Sequence, residues 1–102
     1  MTRRFIVRAR AERDIQSTFE WYESQQRGLG EEFLSAVRQR LETVRSFPES
    51  APVLYRDVRR AVVSRFPYVI FYVAQPSRVS ILAVLHQSRD PAVWPRRSRT
   101  AR

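Results

Sequence analysis

The chain has no cysteine, no lysine, one histidine and only two glycines among its 102 residues. Without cysteine there is no disulfide framework, zinc ribbon, thiol nucleophile or iron–sulfur site, and one histidine is too few for an all-protein zinc site. No cofactor is expected. Long apolar runs are missing too: Val69 to Ala74 and Ile81 to Leu85 are the longest, far short of a membrane span. Near the N-terminus, arginines at 3, 4, 8 and 10 surround the short patch Phe5-Ile6-Val7, which is not the apolar stretch of a secretory signal. These absences lead to the expectation of a cytoplasmic protein without membrane contact. There is also no low-complexity tract, and with 43 % hydrophobic and 12 % aromatic residues the chain is too apolar to read as disordered. One domain with one core is expected over residues 1–95, followed by a basic tail over 96–102.

All 19 basic residues are arginine, set against ten acids, for a net charge of +9. An arginine fork suits phosphate and carboxylate partners, but it does not give up its proton and so makes a poor proton-transfer group. The replacement of lysine is chain-wide, as codon bias in a GC-rich genome would produce, and therefore locates no site. Distribution is more informative. Residues 51–102 hold ten arginines against two acids, whereas residues 28–50 are slightly acidic.

Arg3 to Arg8 alternate around Phe5-Ile6-Val7 and read as a short strand. From Ala9 the period changes: Ala11, Ile15, Phe19 and Tyr22 form one helical stripe, ending near Gln26. Arg27-Gly28-Leu29-Gly30 holds both glycines and predicts a tight helix–helix turn. Phe33, Val37, Leu41 and Val44 repeat the stripe in a second helix of about 16 to 18 residues, with Glu31 and Glu32 at its positive end and Pro48 as its stop. Beyond a turn-rich loop, Val58–Ser64, Tyr68–Ala74 and Val79–His86 read as strands, the last two joined through Gln75-Pro76-Ser77-Arg78. The expected architecture is α+β, in the order β-α-α-β-β-β, with a helical hairpin on a small antiparallel sheet. Two of the strands are apolar on both faces, so a second cover, such as another chain, is expected opposite the helices.

His86 is the one side chain whose ordinary titration range lies near neutrality. Either it transfers protons or its ring bonds the adjacent loop; the second is favoured, because no partner acid or base is evident. RNA cleavage through the 2′-hydroxyl needs a base, an acid and a cation. His86, Arg65 and Arg89 meet part of that list, with Tyr68 or Tyr72 as candidates for the rest unless those rings are core. Arg59 and Arg60 are neighbours in a strand and must point to opposite faces. With Arg56, Arg65, Arg89 and the tail residues Arg96 and Arg97 they offer a basic surface for nucleic acid or an acidic protein segment. Asp90 and Trp94 in the turn after Arg89 read first as a local cap and a cover for the sheet end.

Arg65-Phe66-Pro67-Tyr68-Val69-Ile70-Phe71-Tyr72, then Ile81-Leu82-Ala83-Val84-Leu85-His86, Arg89-Asp90-Pro91 and Trp94, resembles the RelE/ParE superfamily of type II toxin–antitoxin toxins. Ala11, Asp14, Ile15, Tyr22, Gly28-Leu29-Gly30, Phe33 and Pro48 fit the same pattern, so the likeness runs from about residue 3 to 97. The resemblance implies a bacterial growth-arrest toxin neutralised by a cognate antitoxin, whose extended or helical C-terminal segment wraps it, with operator DNA reached only through the antitoxin. Two activities occur in the superfamily, ribosome-dependent mRNA cleavage in the RelE branch and interference with DNA gyrase in the ParE branch. The ribonuclease branch places a catalytic arginine in the strand that here reads Tyr68 to Tyr72, and an arginine and a tyrosine near the C-terminus. Here Val69 falls at the strand position and Trp94 is the nearest match to the tyrosine. That departure favours the ParE branch, with Arg59, Arg60, Arg65, Arg89, Trp94, Arg96 and Arg97 as the expected contact residues for target or antitoxin. A ribosome-dependent endoribonuclease using His86, Arg65 and Arg89 is the alternative.

Overall fold

The computed structural model describes residues 3–88. Its elements run β1 (Arg4–Val7), α1 (Ala9–Gln25), α2 (Leu29–Ser46), β2 (Val53–Tyr55), β3 (Val58–Val62), β4 (Tyr68–Ala74) and β5 (Arg78–His86). The strands form one five-stranded sheet in the order β1-β5-β4-β3-β2. Among the described residues no helix is long and apolar enough to cross a membrane.

The helical hairpin is built by the residues of its turn. Gly28 adopts φ 88°, a left-handed conformation that costs glycine little. It precedes α2, whose first amides lack intrahelical acceptors. Glu23, in the last turn of α1, caps this end: its carboxylate accepts from the amides of Gly28 and Gly30, both at 2.9 Å. Gly30 is where the helices come closest, since a Cβ there would lie 2.7 Å from the Phe19 carbonyl oxygen. The predicted apolar stripes then meet the sheet. Ala11, Phe33, Val37 and Val44 are buried with Ala61, Val63, Ile70, Tyr72, Val79, Ile81 and Val84.

The sheet departs from the expectation in three respects. First, it is not wholly antiparallel. β1 pairs with β5 in parallel, Arg4 opposite Arg78 and Val7 opposite Ile81. The two helices lie between those strands in sequence, so no hairpin dictates their relative direction. Second, Val53–Tyr55 adds an edge strand, paired with β3. All three of its residues are exposed, which leaves no alternation for sequence reading to detect. Third, the face opposite the helices needs no second chain over its centre. Val58, Val69, Phe71, Leu82, Ala83 and Leu85 are buried there within the chain itself, while Val62 on β3 stands open at 47 % exposure and Tyr55 on the edge strand is exposed beside Val58.

Two polar contacts fix the helical layer to the sheet. β1 ends at Val7, so beyond Ile81 the flank of β5 has no strand beside it. There Asp14 of α1 accepts the Val84 amide at 3.0 Å. On the other side, the loop after α2 is fastened from beneath. The buried Tyr72 hydroxyl donates to the Pro48 carbonyl at 2.6 Å, and Arg59 Nη1 donates to the carbonyls of Glu49 and Ala51 at 3.0 and 2.7 Å. Burial raises the Tyr72 hydroxyl above the ordinary phenol range, against the opposing pull of Arg59, which keeps its proton available for Pro48.

Replacing Tyr72 with phenylalanine removes that bond without emptying the core. Urea unfolding of the variant is expected to show a loss of about 1–2 kcal/mol. Because the folded state raises this hydroxyl, its contribution is complete below the ordinary tyrosine value of 10.0 and is lost as pH climbs through the folded one. The alkaline fall in stability should therefore be shallower in Tyr72→Phe.

Candidate functional site

The turn between β3 and β4 and the end of β5 share one end of the sheet. Tyr68 lies opposite His86 in the ladder, and the Gln87 amide donates to the Pro67 carbonyl at 2.9 Å. Around this end the rings of Tyr22, Phe33, Phe66 and Tyr68 pack edge to face or tilted, with centroids 5.1–6.2 Å apart. His86 joins them at 5.3 Å from Tyr68 and Trp21 at 5.0 Å from Tyr22. Trp21 is 55 % exposed, so the aromatic cluster runs from the core to solvent. Desolvation, then the neighbouring Tyr68, raises the Tyr22 hydroxyl above its ordinary range.

His86 is exposed, but its ring is tied to the loop that follows. Nδ1 accepts the Ser88 amide at 3.1 Å and lies 2.8 Å from the Ser88 hydroxyl. An amide can only donate, so Nδ1 carries no proton in this arrangement and the neutral ring holds it on Nε2. The loop-bonding reading of His86 is thus realised, with Nε2–H facing outward from that bond as a donor. Tyr72, one candidate for a partner in proton transfer, is fully buried and engaged with Pro48. Tyr68 is half-buried within the aromatic cluster.

The arginines separate into different environments. Arg59 and Arg60 take opposite faces, as their adjacency requires. Arg59 pairs in register with Tyr72 on the helix side and is committed to the loop carbonyls, while Arg60 stands beside Phe71 on the other face. Tyr72 lies four steps along β4 from Tyr68, so Arg59 lies about 14 Å along the strand from the His86 end. Val62 follows Arg60 on the same face, and the chain then turns through Arg65, exposed and at φ 69°. Arg56, at the β2–β3 turn, is also left-handed at φ 52°, with its guanidinium over the Tyr55 ring. Arg89, Asp90, Trp94, Arg96 and Arg97, with the tail over 96–102, lie outside the described residues.

Val69 is 1 % exposed, inside the apolar cluster opposite the helices. A strand arginine at this position would have to enter a closed hydrocarbon environment. What sequence reading missed is the pair of left-handed arginines, because nothing in the residue type announces a conformation that glycine or asparagine adopts more cheaply. Arg65→Gly is expected to leave stability unchanged or to raise it by up to about 1 kcal/mol, as measured by thermal and urea unfolding. A larger loss would mean that the guanidinium has a structural bond.

The comparisons with known proteins agree with this geometry. A family model described as "ParE toxin of type II toxin-antitoxin system, parDE" matches residues 5–91. Among curated proteins, none matches the chain by sequence. Among solved structures, a chain from the chromosomal ParDE toxin–antitoxin system of P. aeruginosa superposes with a TM-score of 0.75. The alignment covers 83 % of this chain and 96 % of that one at 11 % identity, a likeness of fold. With the family match spanning the helical hairpin and every strand of the sheet, the chain belongs to the ParE toxin family of type II toxin–antitoxin systems.

Proposed function

We propose that this toxin arrests growth by gripping a macromolecular target, DNA gyrase in the reading that its branch suggests, in the cytoplasm, and that a cognate antitoxin neutralises it. The observation that carries the reading is the outer face of β3 with its turn: Arg60, the open Val62 and the left-handed, exposed Arg65 lie in sequence along one rim. Local strain kept in an exposed arginine, where glycine would relieve it, supports a side chain retained for contact. The buried Val69 supports the same reading from the other side, because it stands where the ribonuclease branch would hold a catalytic cation. Arg59, engaged in fastening the loop, is assigned to stability and not to contact. Arg89, Trp94, Arg96 and Arg97 remain in the proposed contact surface on the strength of the family resemblance.

The antitoxin is proposed to lay an acidic or amphipathic segment against the basic sheet region, since one partner would then cover apolar surface and neutralise charge. Operator DNA is reached only through that antitoxin. The mRNA-cleavage alternative, through His86, Arg65 and Arg89, draws its support from the contact of His86 with Tyr68 at this end of the sheet.

Inducing the toxin without antitoxin, while following a DNA-damage reporter and the rate of protein synthesis, separates the two. The expected result is an early damage response with translation initially intact. A folded Arg60→Ala, Arg65→Ala double variant should relieve growth arrest at least about tenfold in surviving colonies, as loss of central arginine contacts does in other interfaces. Early collapse of translation without damage, with new cuts in ribosome-bound mRNA that disappear in His86→Ala, would transfer the function to ribonuclease. Full toxicity in the double variant would remove this rim from the contact surface.

A further inference from the structure

At the opposite end of the sheet, where β1 and β5 begin and α2 finishes, there is a cavity of about 230 Å³. Phe5, Pro48 and Val79 form its apolar side; Arg3, Arg4, Arg45 and Ser46 line the rest, and no acidic residue does. Two details distinguish these arginines from solvated surface charge. The Arg45 guanidinium lies 5.2 Å from the centroid of the Phe5 ring, which holds the cation against the cavity wall. Arg3 is gripped by one arm only: Nη2 meets Glu49 Oε2 at 2.6 Å, while Nη1 is buried with no hydrogen-bond partner among the described residues. The Arg3 guanidinium, foremost through its hydrogen bond, lowers the Glu49 carboxyl below its ordinary range.

Buried guanidinium donors are rarely left without acceptors. An anion in the cavity would supply one to Arg3. We propose that this cavity is a carboxylate subsite, which receives the side chain of a glutamate or aspartate carried by a partner protein. The fork of Arg3, with one arm already placed by Glu49, and the Arg45 cation provide the charge-assisted donors that a carboxylate takes. The apolar side favours an acidic side chain over inorganic phosphate, because Phe5, Pro48 and Val79 would cover the methylene stem of the former, whereas the phosphate ion has no carbon to bury. The volume suits one side chain and is below that of ordinary nucleotide or cofactor pockets. This site is remote from the Arg60–Arg65 rim and holds whichever cellular target the toxin has.

The test is a nuclear magnetic resonance titration of the full chain with N-acetyl-glutamate N-methylamide, its glutamine counterpart and inorganic phosphate, following the amides of Phe5, Ser46 and Val79. The capped glutamate is expected to shift these amides saturably, and the capped glutamine to bind at least about tenfold more weakly for want of charge. Arg45 is exposed on the last turn of α2, so Arg45→Gln should fold and weaken the capped glutamate about fivefold or more; Arg3→Gln should do the same where the spectrum shows an intact sheet. Equal binding of the capped glutamine, or no saturable shift, would overturn the proposal. So would undiminished binding by Arg45→Gln, or saturation by phosphate in protein that ignores the capped glutamate.

Discussion

Tyr68–Ala74 and Arg78–His86 bury side chains on both faces, with Ile70, Tyr72, Ile81 and Val84 towards the helices and Val69, Phe71, Leu82, Ala83 and Leu85 away from them. A sheet whose two middle strands are closed on both sides has no room for charge at its centre. An uncompensated guanidinium there would lose its hydration without recovering it, so the arginines of a strongly basic chain are driven to turns, edges and strand ends. That constraint decides where chemistry can occur in this molecule. Arg56 and Arg65 sit at turn tips, Arg60 on the strand next to the edge, and Arg3 and Arg45 at the end of the helical layer.

Much of this arrangement was legible in the sequence, for reasons that belong to particular residues. The stripes Ala11–Tyr22 and Phe33–Val44 have only one way to bury themselves, and Gly28 and Gly30 have few other uses than a close helical turn. The apolar runs of β4 and β5 likewise announced a sheet covered on both sides. What sequence could not convey depends on contacts distant along the chain. β2 is a strand because β3 offers it partners, not because Val53-Leu54-Tyr55 alternates. β1 is free to run parallel to β5 because two helices and three strands separate them in sequence, so no hairpin sets their relative direction. The same limit applies to function. Arg59 and Arg60 are identical in type and adjacent, yet one holds carbonyl groups of a loop and the other lines an outer face; only the register with Tyr72 and Phe71 separates them.

Glu23, Asp14 and Tyr72 show how polar residues in the helical layer are used. Each satisfies backbone groups that the fold would otherwise strand: the first amides of α2, an amide of β5 beyond the end of β1, and a carbonyl in the loop before β2. Asp14 and Tyr22 match the family pattern, and their positions give that match a physical basis. Asp14 is needed because β1 is too short to pair along the whole of β5. Tyr22 is needed because the Phe33, Phe66 and Tyr68 rings leave a gap that an aromatic edge fills.

β5 also sets the distance between the two proposed contact sites. The seven steps from Val79 to His86 place the cavity roughly 23 Å from the His86 end at ordinary strand rise. Coupling between sites at that distance requires an element with two arrangements, and a strand packed on both faces offers only one. Substitutions at Arg45 and at Arg65 should therefore act additively, and whatever fills the cavity need not alter the turn at the far end. A partner segment can then be held by its acidic side chain at one end of the sheet while the other end is covered or left free according to the length of that segment alone, which makes occlusion, not conformational change, the physical route by which such a partner would silence the rim.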